Sequence, residues 1–336
     1  MIQVVQIFRK RNPFFFSIEK VFALVKPGLS TKIQLTAISL PFYTHGLLSV
    51  VRNLYFVYRT PSKDLYHVTG DVHYAVLALP ASRTILTIHD CVFLYSATGI
   101  KRRILKWLLL DMPVKRAAIV TTISDFTKQE ILRFTHCNED KVVVIPNPVN
   151  DAIRFEKKAF NTSKPVLLFI GTTPNKNLER VIAALAGISC HLLILGITSV
   201  LQEQLLAKHH VDFSVRSNIS ESELADVYIQ SDIVLFPSTF EGFGLPVLEA
   251  QKAGRVIITS NIDPMQKVAG GGAFLVDPYD VNDIRHGIEK IIGNADTRNA
   301  CIENGFSNII QYNASRITDA YCGLYEKLTK NNTEID

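Results

Sequence analysis

A chain of 336 residues is about two domains long, and 47% hydrophobic against 20% charged residues is ordinary globular composition, which excludes a disordered or collagen-like chain. The five cysteines (Cys91, Cys137, Cys190, Cys301, Cys322) are odd in number, scattered and without a C-x-x-C pair. Neither a disulfide framework nor a zinc knuckle is expected, and a reducing compartment fits better. The net charge of +5 is unevenly spread: residues 1–150 carry 19 Lys and Arg against 9 Asp and Glu, residues 151–336 carry 17 against 22. Such a basic half suits an anionic partner, a membrane surface rather than nucleic acid, unless it is merely a solvated face.

In chain order, short β-rich apolar runs alternate with helical stretches, the pattern of parallel α/β layers. Strands are expected at Gln3–Phe8, Ile33–Ser39, Leu65–Val68, Thr84–Ile88, Ala118–Thr122 and Val142–Ile145, with helices around Ile18–Val25, Lys101–Leu110 and Asp125–Phe134. Two prolines and two asparagines in Pro146-Asn147-Pro148-Val149-Asn150-Asp151 then make a stiff, non-helical connector. Beyond it, strands are expected at Pro165–Ile170, His191–Leu195, Asp212–Ser214, Asp232–Phe236, Arg255–Thr259 and Ala273–Leu275. Helices should start near Asn177, Val200, Ser220, Leu245 and Val281, and a last one runs from about Ala314 to Leu328. The expected division is 1–149, 150–312, and a terminal helical piece, 313–330, returning to the first domain.

The apolar run Ile2–Phe8 precedes the first basic cluster instead of following it, so no secretory leader is expected. No run approaches the roughly 18–20 apolar residues of a spanning helix. The expected location is cytoplasmic, with the basic half able to meet the inner face of the cytoplasmic membrane. Within that half, Lys101–Leu110 reads either as a basic amphipathic surface helix or as an ordinary core-facing one.

The most informative segment is Asp232–Glu249, which reads strand, glycine loop, helix. Pro246 suits a first helical turn and Gly254 the position past the helix end. Ligands of open α/β sheets bind beyond the carboxyl ends of the strands. Gly242 and Gly244 allow close backbone approach there, and a helix start offers N–H groups to phosphate. Glu241 and Glu249 cannot be phosphate ligands, because like charges repel, but each can accept charge-assisted hydrogen bonds from hydroxyl groups. The alternative is a capping glutamate plus a solvated helix glutamate. A second strand–loop–helix, Leu167 to Asn177, carries Gly171, Thr172 and Lys176, where Lys176 can reach a diphosphate or be a plain surface lysine. His89-Asp90 ends the strand Thr84–Ile88, and His89 is either a sugar-facing donor or a structural histidine. His67 and His73, flanking Gly70-Asp71, are further candidates for acceptor contacts, and Asp125 reads as a helix-start residue.

The run FPSTFEGFGLPVLEAQKAG, with Glu241 and Glu249 in E-x7-E spacing, closely resembles the retaining GT-B glycosyltransferases usually numbered family four. ILTIHD, TTISDFT, VIPNP and GTTPNKNLERVIAAL occur in the family's order, so the resemblance covers nearly the whole chain. It implies two Rossmann-like parallel-sheet domains facing a central cleft. It further implies transfer of a hexose-type sugar, mannose-like by preference, from a nucleoside diphosphate sugar to a glycan or lipid-linked oligosaccharide, as in surface polysaccharide assembly. By that resemblance Glu241 contacts the donor sugar and Glu249 the ribose, with backbone groups of Phe243, Gly244 and Leu245 near sugar and phosphate. Retention would proceed by front-face attack. The catalytic set is then Glu241, His89 and Lys176. With no D-x-D triplet in the chain, no metal or other cofactor is expected.

The chain also departs from the family. Thr172 stands where many members have arginine, Arg9–Ser17 replaces a glycine loop, and Lys267 in Pro264-Met265-Gln266-Lys267-Val268 replaces a carboxylate. The rival readings are a non-catalytic donor-binding subunit, and an epimerase or hydrolase acting on a sugar nucleotide.

Overall fold

The computed structural model describes residues 1–11, 17–44, 46–95 and 97–333. The chain forms two units, residues 1–148 with 314–336, and residues 149–313. The core of the Arg9–Ser17 loop, residues 12–16, lies outside the described residues.

In the first unit the strands are β1 (Gln3–Phe8), β2 (Gln34–Ser39), β3 (Leu65–Val68), β4 (Thr84–Ile88), β5 (Ile119–Thr122) and β6 (Val142–Val144). They pair in parallel in the order β2-β1-β3-β4-β5-β6, so the chain changes direction across the sheet between β1 and β3. The helices are α1 (Ser17–Ser30), α2 (Leu47–Tyr58), α3 (Gly99–Lys106), α4 (Met112–Arg116) and α5 (Asp125–Thr135), with a π-helical segment at Trp107–Asp111 and a 3-10 segment at His73–Ala78. One face of the sheet is covered by Val50 and Val57 of α2, Val114 of α4 and Ile131 of α5. On the other face Phe22, Val25 and Leu29 of α1 pack with Ile317, Tyr321, Tyr325 and Leu328, so the last helix of the chain completes the first unit's core. Burial of each such large side chain contributes about 1.5–3 kcal/mol.

The second unit holds β7 (Val166–Ile170), β8 (His191–Leu195), β9 (Phe213–Arg216), β10 (Ile233–Phe236), β11 (Val256–Ser260) and β12 (Phe274–Val276). Its helices are α6 (Leu178–Ala184), α7 (Val200–Lys208), α8 (Glu221–Gln230), α9 (Leu245–Lys252), α10 (Met265–Ala269), α11 (Val281–Gly293) and α12 (Ala295–Ile309); α13 (Ala314–Thr333) is the helix that belongs to the first unit. The parallel order β12-β11-β10-β7-β8-β9 starts in the middle at β7, runs outward to β9, then returns to β10 on the other side. This is the doubly wound arrangement, whose reversal point, here between β7 and β10, is where such sheets bind ligands.

Every strand read from the sequence is present within one or two residues. The π-helical segment replaces the end of the single helix expected over Lys101–Leu110, and the stretch divides: no residue of α3 is buried, whereas Leu110 lies in the core with Leu108 and Leu109 packed against it. Asp125 is the first helical residue of α5; the cap is Ser124, whose hydroxyl accepts from the Thr127 N–H.

Candidate active site

The two glycine loops identified in the sequence leave the carboxyl ends of β7 and β10, adjacent strands in register at Leu167–Ile233 and Phe169–Leu235. Gly171 follows β7 at φ +86°, and a Cβ there would stand 3.0 Å from Lys176 Cγ, so only glycine lets the lysine stem lie back across the loop. The chain then makes a 3-10 turn over Pro174–Lys176 and enters α6 through Asn177 in the left-handed region, φ 72°. After β10, the loop Pro237–Gly242 leads to Gly244 at φ +102°, the residue before α9, with Pro246 in the first turn. In that first turn Pro246 has no N–H and the Val247 N–H donates to the Gly244 carbonyl at 2.9 Å, so the α9 start offers chiefly the positive end of its helix dipole.

Lys176 Nζ donates to Glu241 Oε1 at 2.5 Å and lies 4.9 Å from the Phe236 ring centre. Both side chains are mostly shielded, at 21% and 14% exposure, so the pair is neither a loose surface bridge nor fully dry. Asn175 seconds the contact: its amide donates to the Phe240 carbonyl at 3.0 Å and reaches Glu241 Oε1 at 3.4 Å, while its own carbonyl accepts from the Thr239 N–H at 2.8 Å. Buried Asn177 donates to the carbonyls of Pro237 and Pro278 at 3.0 and 2.6 Å. Two asparagines thus stitch the β7 loop to the β10 loop. The sequence reading missed both, although asparagine's tolerance of the left-handed region made the Asn-Lys-Asn string a visible signal.

Glu249, on α9, is held differently. The hydroxyl of Tyr228, wholly buried on α8, donates to Glu249 Oε2 at 2.7 Å. Burial, then the nearby Glu249 charge, push that phenol well above its ordinary pKa, so it stays a neutral donor. Phe243 is buried against Tyr312, ring centres 5.8 Å apart, which leaves its backbone rather than its side chain for a ligand. Thr172 turns its hydroxyl to the Ile197 carbonyl at 2.7 Å, clasping the β7 loop to the β8 loop. Lys267 pairs with Asp263 at 2.8 Å. Arg216 ends β9, two strands from β7.

In the first unit, the direction change between β1 and β3 carries an ion network: Arg9, just after β1, binds Glu19 at 3.0 Å and also Asp71 in the β3 loop. On the next strand, His89 Nε2 lies 2.8 Å from the Thr69 carbonyl. A carbonyl only accepts, so Nε2 carries the proton, and in the neutral ring Nδ1 is left as an acceptor. Burial keeps that ring neutral by lowering its pKa, against the opposing pull of the Thr69 bond. His67 is not an acceptor contact: it is fully buried, with Nδ1 2.7 Å from the Tyr325 hydroxyl and Nε2 2.7 Å from Thr87 Oγ1. His73 is also buried, donating from Nδ1 to the Leu109 carbonyl at 2.7 Å.

The model of the family described as Glycosyl transferases group 1 matches residues 150–308, and that of Glycosyltransferase Family 4 matches residues 27–152. The O-antigen chain mannosyltransferase RfbU of Salmonella typhimurium is 28% identical over 216 residues, 61% of this chain. The chain spans 60% of that relative's length. Among solved structures, sucrose-phosphate synthase from Thermosynechococcus elongatus superposes with a TM-score of 0.79 at 16% identity, covering 98% of this chain and 100% of that one. Anabaena Alr3699/HepE in complex with UDP and glucose gives 0.76 at 12%, covering 97% and 100%. At such identities the likeness speaks for the fold, which is GT-B. With consecutive family models running through both units, the chain belongs to the group 1, family 4 glycosyltransferases.

Proposed function

We propose that this protein transfers a hexose-type sugar, mannose by preference, from a nucleoside diphosphate donor to a glycan or lipid-linked oligosaccharide in surface polysaccharide assembly, with retention of anomeric configuration and without a metal. The observation that carries the reading is the Lys176–Glu241 pair at the reversal point of the second sheet, beside the start of α9. A cation and a helix start offer neutralisation to a diphosphate, while Glu241 and Glu249 offer acceptors to the hydroxyls on either side of it. Support for the sugar comes from the relative that is an O-antigen chain mannosyltransferase, and for the nucleotide from the neighbour solved in complex with UDP and glucose. Among the described residues no three His, Cys, Asp or Glu side chains gather as metal ligands.

In chemical terms, Lys176 and the α9 start stabilise charge building on the leaving diphosphate, the term that usually dominates such catalysis. Glu241 orients the donor sugar and Glu249 the ribose. In the first unit, His89 offers Nδ1 to a hydroxyl. The test is a panel of nucleoside diphosphate sugars, read by calorimetric binding and by acceptor-dependent transfer with and without EDTA, with the product's anomeric configuration read by NMR. Retained configuration and EDTA-insensitive transfer are expected. Turnover that needs no acceptor would favour a hydrolase, and binding without turnover a donor-binding subunit.

A further inference from the structure

Two helices of the first unit leave large apolar side chains in solvent, and both do so in helical register. In α2, Val50, Asn53 and Val57 face the core, whereas Leu47, Val51, Tyr55 and Tyr58, spaced i, i+4, i+8, i+11, are exposed, Leu47 at 78% and Tyr58 at 72%. In α3 and the turn after it, Ile100, Ile104 and Trp107, spaced i, i+4, i+7, are exposed at 75%, 57% and 55%. α2 and the Trp107–Arg116 stretch that continues α3 lie on the same face of the first sheet: both pack against His73–Ala78, and Val50, Val57, Leu110 and Val114 share one core. Phe42 and Tyr43 extend the α2 patch, because buried Asn53 binds the Phe42 N–H and carbonyl at 3.2 and 2.9 Å.

Charge decides what covers this surface. From Phe42 to Ser62 and from Val92 to Leu110 the chain has no Asp or Glu. Arg52 and Arg59 flank the α2 stripe, and Lys101, Arg102 and Arg103, all exposed, flank the α3 stripe. A second copy of the same face would set cation against cation, which disfavours self-association. Exposed aliphatics and aromatics flanked by cations, with Asp111 already paired to Lys106, match the layered chemistry of a membrane interface, anionic headgroups outside and acyl chains beneath. No described helix is long and apolar enough to cross a membrane. We infer that α2 and α3 form one docking surface for a bilayer containing anionic lipid, with Leu47, Val51, Tyr55, Tyr58, Ile104 and Trp107 entering the headgroup region. This goes beyond the reaction proposed above and does not depend on it.

The sequence contains a single tryptophan, Trp107, so intrinsic fluorescence reports on this surface without labelling. The intact chain is mixed with vesicles of phosphatidylcholine alone, or of phosphatidylcholine with phosphatidylglycerol. Co-sedimentation and a blue shift of Trp107 emission are expected with the anionic vesicles only, both reversed as salt rises through the physiological range. Lys101→Gln, Arg102→Gln and Arg103→Gln together should lower the partition on the order of a hundredfold. Val51→Glu with Tyr55→Glu should lower it similarly while the melting temperature of each variant stays near that of the parent, since all five side chains lie in solvent. Four outcomes overturn the inference: no co-sedimentation at low salt, equal binding to neutral vesicles, binding with Trp107 emission and both variants unaffected, or a concentration-dependent dimer that the variants abolish without any vesicle binding.

Discussion

Lys176 Nζ lies 2.5 Å from Glu241 Oε1, and this pair joins the loops that follow β7 and β10. Each group neutralises the other, so under the proposed function a diphosphate would have to compete with Glu241 for the lysine. Winning that competition would free the Glu241 carboxylate for a sugar hydroxyl and so couple the phosphate end of a donor to its sugar end.

Glu241→Gln tests that coupling. The amide keeps the side chain's shape but releases the charge of Lys176. Transfer should fall by about two to three orders of magnitude, the scale of a lost preorganised group. Free nucleoside diphosphate should bind more tightly, by up to about 1 kcal/mol, the worth of a partly exposed ion pair. Calorimetric titration of the nucleoside diphosphate reads it, and weaker binding in the variant would show that the pair does not compete with a phosphate.

Lys176→Ala removes the cation itself. With the Thr172 hydroxyl clasped to the Ile197 carbonyl, the proposed function makes Lys176 the main cation of the two loops for a diphosphate. The expected loss is about 2–4 kcal/mol in kcat/KM, with weaker nucleoside diphosphate binding. Lys176→Arg should recover only part, because a planar fork suits a point-charge site poorly. Unchanged affinity and turnover in Lys176→Ala would mean that the diphosphate sits elsewhere.

The strands, the two glycine loops and the residues of the E-x7-E run were legible because each is a local pattern: apolar runs bounded by turns, and Gly244 followed by Pro246 at a helix start. What was missed depends on partners far away in sequence. His67 looked like a loop histidine beside Gly70-Asp71, yet it is the third of β3's four buried residues and meets Tyr325, 258 residues later. α2 escaped notice because its apolar residues, with Leu48, Phe56 and Val57 added to the Leu47, Val50, Val51 and Leu54 stripe, surround most of the helix and leave no broad polar face to reveal the period. Tyr228 gave no signal, since its role exists only once α8 packs beside α9.

His67 also predicts an acid response. Burial, with the nearby His89 adding to it, lowers its pKa from 6.5 to about 3, so the folded chain holds it neutral. The unfolded chain takes up the proton first as the pH falls below 6.5. The associated stability is therefore present above that value and lost between there and about pH 3, at up to about 1.4 kcal/mol per pH unit. Thermal or urea melts across this range should show a shallower pH slope for His67→Gln than for the parent, even if the variant is less stable throughout. Identical slopes would place the acid sensitivity in other groups.

Tyr228→Phe separates donor binding from chemistry. The phenol donates to Glu249 Oε2 at 2.7 Å from a fully buried position, and its raised pKa keeps the proton in place across the working range. Phenylalanine keeps the ring and its packing, so the protein should stay folded with a modest change in melting temperature. Glu249 loses one of the donors that aim it, so its carboxylate should meet a ribose hydroxyl less well. The expected cost is about 1 kcal/mol in donor affinity, smaller than the roughly 1–3 kcal/mol expected for Glu249→Ala, because the carboxylate is still present. Since Glu249 is assigned to binding rather than to bond breaking, KM for the donor should rise while kcat holds. The double variant decides whether Tyr228 acts through Glu249: if it does, Tyr228→Phe adds little to Glu249→Ala. Fully additive losses would mean that the two side chains act independently, and that the 2.7 Å bond does not position the glutamate for the donor.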